Sequence, residues 1–122
     1  MLSIAWSVEY TDELAAWWET LPEGAQEEID AIVGLLIEYG VDLPFPYSSS
    51  VNGSRHSHMR ELRVQYQGDP IRILYAFDPL RTAILLIGGD KTGNKRWYRV
   101  QIPIADRLYD RHLEELQQEG RI

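Results

Sequence analysis

The sequence predicts one α+β domain over residues 1–122, with the element order β-α-α-β-β-β-α. Three observations point there. Two stretches in the first forty residues carry apolar side chains at helical spacing. Three later stretches carry them at strand spacing, separated by short turns. The chain then returns to helical spacing near its end. No internal repeat or low-complexity stretch interrupts this order.

Leu2–Trp6 is short and apolar-rich and is expected to form a first strand. Tyr10–Leu21 has apolar residues at Tyr10, Leu14, Trp17, Trp18 and Leu21, which predicts a helix. Thr11 or Ser7 suits its N-cap, and Asp12 and Glu13 suit the first turn. The Trp17–Trp18 pair lies on the apolar stripe, so core packing is the reading for both. Glu23–Tyr39 repeats the pattern at Ile29, Ile32, Val33, Leu36 and Ile37, with Gly40 placed as its cap. The few residues between the two helices predict a helical hairpin.

Leu43-Pro44-Phe45-Pro46 cannot continue a helix and opens a loop that runs to His58. Met59–Tyr66 alternates, with Leu62, Val64 and Tyr66 on one face and Glu61, Arg63 and Gln65 on the other. Gln67-Gly68-Asp69-Pro70 is the expected turn. Ile71–Phe77 puts Ile71, Ile73, Tyr75 and Phe77 on one face and Arg72, Leu74 and Ala76 on the other. Asp78-Pro79 suits a type I turn. Thr82–Ile87 is apolar on both faces and is expected to be the central strand, broken at Gly88-Gly89. These three strands form a predicted antiparallel meander. Pro103–Gln118 is the last predicted helix, with Pro103 at its first position.

The net charge of −7 is unevenly spread. Residues 1–54 hold ten acids and no base. Residues 55–99 hold nine bases and four acids, and residues 100–122 hold three bases and five acids. The whole-chain charge argues against generic nucleic-acid binding, but the basic middle segment can meet phosphate locally. The absence of cysteine excludes disulfides, thiolate zinc sites and cysteine nucleophiles. No apolar run approaches the roughly 18 residues that span a bilayer, and the N-terminus has no signal-peptide pattern, so a cytoplasmic location is expected. Gly88-Gly89-Asp90-Lys91-Thr92 follows a strand but is not a phosphate-binding P-loop. Asp90 and Leu85 stand where that motif needs glycine.

The candidate chemistry sits on the basic residues. Arg63 and Arg72 lie on neighbouring strands, each away from its strand's best apolar face. They can bracket a phosphate with forked donors, or one of them can pair with Glu61. Lys91, Lys95, Arg96 and Arg99 are interleaved with Trp97 and Tyr98, a pattern suited to holding a nucleic-acid backbone beside a stacked or proton-moving ring. His56 and His58 lie two apart on the loop that also carries Arg55. Three histidines in the whole chain give no metal-ligand spacing, so no metal is expected, and a proton-transfer or surface role is open for these two.

Several runs together resemble the RelE/ParE superfamily of toxins, and within it the phage-derived, HigB-like branch. They are Arg60-Glu61-Leu62-Arg63, Ile71-Arg72-Ile73-Leu74-Tyr75, Leu85–Tyr98 with its glycine pair and lysine, and Ile104-Ala105-Asp106-Arg107. The resemblance covers almost the whole chain and implies a RelE-like fold. It also implies the toxin of a type II toxin–antitoxin module, an endoribonuclease that cuts mRNA in the ribosomal A site without metal or cofactor. A cognate antitoxin would bind it, forming a hetero-oligomer. On this resemblance Arg63, Arg72, Lys91 and Tyr98 are the catalytic residues, with Trp97 the competitor of Tyr98 for the aromatic position by one residue. By residue type alone, Arg55, Arg60, Lys95, Arg96 and Arg99 are the expected RNA-binding set; His56 and His58 match no motif of the family and are further candidates for proton transfer. The superfamily also holds ParE-like inhibitors of DNA gyrase and leaves room for an inactive antitoxin-binding partner, so the fold alone does not choose among these activities.

Overall fold

The computed structural model of the protein describes residues 5–122. The elements run β1 (Ser7–Tyr10), α1 (Asp12–Trp18), α2 (Glu23–Tyr39), a 3-10 turn (Gly40–Asp42), β2 (Ser48–Ser50), β3 (Arg60–Tyr66), β4 (Asp69–Phe77), β5 (Thr82–Asp90) and α3 (Trp97–Gln118). The five strands form one sheet in the order β1-β5-β4-β3-β2. The two N-terminal helices cover one face and α3 covers the other. Leu14, Ile29, Leu36, Leu62, Val64, Ile73 and Tyr75 belong to the first core layer. Met59, Leu74, Ala76, Leu86, Trp97 and Tyr109 belong to the second. The alternation of the strands separates these layers, because odd and even positions point to opposite faces. No helix among the described residues is long and apolar enough to cross a membrane.

The α+β class and the order of the predicted elements hold, with α2 at the predicted bounds and Thr11 as the N-cap of α1. Several boundaries differ for physical reasons. Residues 2–4 of the predicted first strand lie outside the described residues. The strand observed is Ser7–Tyr10, and it pairs parallel with β5, so the sheet is mixed rather than wholly antiparallel. Tyr10 belongs to that strand and is 67 % exposed, which removes it from the helical stripe. The turn between β3 and β4 is only Gln67-Gly68, both at positive φ, and Asp69-Pro70 are already strand. Two positive-φ residues suit the right-handed twist of a hairpin. The central strand is β4. The strand predicted as central, β5, lies between β4 and β1.

β5 does not stop at Gly88-Gly89 but runs through both to Asp90. The glycines are windows for tryptophan. A Cβ on Gly88 would run into the Trp17 ring on the α1 side, and one on Gly89 would lie 2.5 Å from Trp97 Nε1 on the α3 side. Trp97 is buried there, so α3 starts six residues before the predicted Pro103, which sits inside the helix. Anchoring Trp97 on Gly89 outweighs the hydrogen bond that proline removes from the Arg99 carbonyl.

Candidate functional site: an arginine pair, a shared carboxylate and a tyrosine

The short turn at Gln67-Gly68 sets the β3–β4 register, and that register places Arg63 directly opposite Arg72. Arg72 in turn lies opposite Gly89 of β5. Like charges facing each other across strands are unfavourable unless an anion lies between them. Glu61 is that anion. It shares the α3 face of β3 with Arg63, and it is 5 % exposed. Arg63 Nη1 approaches Oε2 at 3.4 Å and Arg72 Nε approaches Oε1 at 3.6 Å. Two hydroxyls complete the carboxylate's shell. Ser49 of β2 donates to Oε2 at 2.7 Å, and Tyr98 of α3 donates to Oε1 at 2.5 Å.

Tyr98 reaches Glu61 because Trp97, its neighbour, is seated on Gly89 in the first turn of α3. Lys91 Nζ stands 5.3 Å from the Tyr98 ring centroid, within cation–π range. The cluster therefore contains three cations, one carboxylate and one phenol. It is formally positive on a chain that is negative as a whole. Burial, and then the Glu61 carboxylate, push the Tyr98 phenol above the ordinary tyrosine range, against a smaller opposing effect of Arg72. Tyr98 thus holds its proton and acts as a donor. Arg72 is 3 % exposed. Its Nη1 donates to the Ile71 carbonyl at 3.0 Å, while its Nε has no hydrogen-bond partner. The approach to Glu61 is an ion pair too long to be a hydrogen bond.

The residue that sequence reasoning does not nominate is Glu61. It enters there only as a rival partner for one arginine, whereas the structure joins it to both and to Tyr98. The available signal was its spacing two residues before Arg63 on one strand face.

The other basic candidates divide. Lys95 and Arg96 are exposed on the loop before α3, and Arg99 is exposed on its first turn. Arg60 is half-buried and its Nε donates to the Ser48 hydroxyl at 2.9 Å. Arg55 is not with the cluster. Its guanidinium pairs with Asp110 of α3, and its backbone N–H donates to Asp106 at 3.0 Å. His56 pairs with Asp110 at 2.8 Å, and His58 lies 3.2 Å from the Tyr109 hydroxyl. Ser54 also donates to Asp106 at 2.5 Å. These contacts clamp the 51–59 loop to the middle of α3. Tyr109 is eleven residues beyond Tyr98, about 16 Å along the helix axis. Among the described residues, no three His, Asp or Glu side chains form a metal-holding group.

Tyr109 is also held above the ordinary tyrosine range, by burial first and then by Asp78. Both phenols are therefore protonated in the folded chain at pH values where the unfolded chain begins to ionise. Their stabilising effect is complete below the ordinary tyrosine value of about 10 and is lost as pH rises through the raised folded values. Thermal melts taken upward from about pH 9 should show the transition falling above about pH 10. The fall should be shallower in Tyr98→Phe than in the parent chain.

Residues 16–110 match the family described as phage derived protein Gp49-like (DUF891). The chain belongs to that family. Two relatives from Mycobacterium tuberculosis (strain ATCC 25618 / H37Rv) extend the likeness. The toxin candidate HigB2 is 38 % identical over 117 residues, which cover 94 % of this chain and 58 % of HigB2. The toxin candidate HigB3 is 46 % identical over 95 residues, covering 77 % of this chain and 82 % of HigB3. The Gp49-like chain thus spans little more than half the length of HigB2. Solved structures give the fold. The archaeal RelE–RelB complex from Pyrococcus horikoshii OT3 matches with a TM-score of 0.53 at 15 % identity, over 71 % of this chain and 96 % of that one. A free-state mutant of the E. coli toxin RelE matches with a TM-score of 0.55 at 10 % identity, over 76 % and 90 %. The Gp49-like domain therefore has a RelE-like fold.

Proposed function

We propose that this protein is the toxin of a type II toxin–antitoxin module and that it cleaves mRNA at the Glu61–Tyr98 cluster. One observation carries the reading. On an acidic chain, three cations converge on one partly open sheet face, around a carboxylate and a phenol that keeps its proton. The HigB2 and HigB3 relatives, both toxin candidates, support it.

RNA carries its own nucleophile, the 2′-hydroxyl, so cleavage needs three services from the protein. One is removal of the 2′-hydroxyl proton, for which Glu61 is the carboxylate at hand. Another is stabilisation of the charge on the pentacoordinate phosphate, which Arg63, Arg72 and Lys91 supply as fixed cations. The last is protonation of the departing 5′-oxygen. Tyr98 suits this step, because its raised pKa keeps a proton to give. No metal or cofactor enters these steps. Arg60, Lys95, Arg96 and Arg99 hold the flanking backbone, and His56, His58 and Arg55 hold the loop against α3 instead.

The substrate is mRNA in the ribosomal A site, met in the cytoplasm. The partner is a cognate antitoxin, as RelE is found with RelB in the archaeal complex. An acidic or amphipathic antitoxin segment over Arg63 and Lys91 would silence the cluster by competing for its cations. A complex whose contacts lay only on the acidic helices α1 and α2 would contradict that placement.

The deciding experiment is induction of this chain without its neighbour gene, with mapping of RNA 5′ ends. New ends at recurring codon positions are expected. DNA damage with intact mRNA would instead indicate gyrase inhibition, and normal growth would indicate an inactive regulatory partner.

A further inference from the structure

We infer that Phe45 and Tyr47 form a stacking subsite for a nucleobase next to the phosphate held by Arg63. The inference rests on the RNA-cleaving reading above and adds a binding determinant to it.

Phe45 is 69 % exposed and Tyr47 is 40 % exposed. They are not on a loose segment, because Leu43 before them and Ser48 after them are fully buried. The Ser48 hydroxyl shares a hydrogen bond of 2.6 Å with the buried Tyr75 hydroxyl, which fixes where the segment joins the sheet. The two rings are thus presented to solvent on an anchored edge.

Arg63 links that edge to the proposed catalytic cluster. Its guanidinium carbon stands 5.0 Å from the Phe45 ring centroid, while its Nη1 faces Glu61 at 3.4 Å. Its backbone N–H donates to the Tyr47 carbonyl at 2.9 Å, which extends the β2–β3 pairing by one position. Tyr47 directly precedes β2 and is two residues from Ser49, whose hydroxyl binds Glu61. One row therefore runs from an exposed aromatic edge, through Arg63, to Arg72 and then to Gly89 beneath Trp97.

Cation-lined tracks flanked by aromatic faces are how single-stranded nucleic acids are held. The base stacks on a ring, the cation takes the phosphate, and a guanidinium on the ring adds to the stack. Arg63 serves both parts, so the base on Phe45 belongs to the nucleotide whose phosphate Arg63 holds or to its neighbour. Stacking of this kind tolerates any base, so the subsite sets affinity and register more than sequence.

The test uses Phe45→Leu, Tyr47→Leu and the double variant, with Phe45→Tyr as the ring-retaining control. Two measurements are made. One is cleavage of a defined mRNA in a purified translation system, against toxin concentration. The other is the fluorescence of a short, fully 2′-O-methylated single-stranded RNA carrying 2-aminopurine. Each leucine variant should raise the half-saturating concentration about tenfold, with a smaller change in limiting rate. Each should also lose the 2-aminopurine quench that Phe45→Tyr retains. If the parent chain cleaves mRNA and the leucine variants match it in half-saturation and quench, the inference is wrong and the RNA-cleaving reading stands. If the parent chain neither cleaves mRNA nor binds the RNA probe, both readings fall.

Discussion

Replacing both Lys91 and Arg63 with alanine is expected to remove growth arrest and to slow RNA cleavage by at least about 10²–10³-fold, the loss typical of one well-placed charge stabiliser. In the proposed reaction the two side chains would supply charge at the rim of the cluster, where an attacked phosphate would gain negative charge in the transition state. Neither supports the core. Arg63 is half-buried on β3, and Lys91 is half-buried at the start of the loop after β5. The melting temperature should therefore stay within a few degrees of the parent, since partly exposed ion pairs contribute about 0–1 kcal/mol. Cleavage is read from mapped RNA ends, and folding from circular dichroism. Full toxicity in the double variant would place the chemistry elsewhere on the surface. The single Lys91→Ala variant separates charge from packing. Its loss should be partly restored by Lys91→Arg, which returns the charge with a different shape.

The fold was legible where periodicity and punctuation agree. α2 has an unbroken apolar stripe and a closing glycine, and its bounds are those expected. β2 had no such signal, because Ser48-Ser49-Ser50 has no apolar alternation. What makes it a strand is distant. Ser48 shares a hydrogen bond with Tyr75, and Ser49 donates to Glu61. The start of α3 was hidden by Pro103, a residue that normally begins helices. The contact that extends the helix backward is Trp97 on Gly89, which local propensity cannot express. The Gly88-Gly89 pair shows the same limit. As a sequence pattern it suits the end of a strand, but in place it is a double window that lets tryptophans approach from both faces.

The candidate site follows the same division. Arg63, Arg72, Lys91 and Tyr98 were nominated from residue types and resemblance, and the structure gathers all four. That Arg63 faces Arg72 follows from the length of a turn, and the turn proved two residues shorter than expected. Glu61 was harder to value. A lone acid two positions from an arginine suggests a surface pair. Only the fold reveals that it is buried and shared. The histidines stand apart from the cluster. Their residue type suggested proton transfer, whereas their hydrogen bonds tie a loop to α3.

Arg72 calls for a different experiment from Lys91, because it lies inside the fold. Arg72→Ala is expected to cost about 3–5 kcal/mol of stability, the range for breaking one side of a buried ion pair. The loss comes chiefly from what remains. Glu61 would be left at 5 % exposure with Arg63 as its one cationic contact, and Arg63 is farther from the interior. Inactivity of Arg72→Ala alone would then say little about chemistry, since an unfolded chain is also inactive. Paired substitution resolves this. Removing the buried charges together, as Arg72→Leu with Glu61→Leu, should recover much of the lost stability, because apolar replacements of similar bulk do not leave an unpaired ion. Urea melts of the two single variants and the double variant give the coupling between the residues, expected within about 0.5–3 kcal/mol for side chains in contact. Activity should not follow stability. The double variant should be folded yet inactive, because it lacks one cation and the carboxylate that accepts from the Tyr98 hydroxyl and is the proposed proton acceptor. A folded double variant that still cleaved mRNA would remove Glu61 and Arg72 from the reaction and leave the pair as a structural staple under the active face.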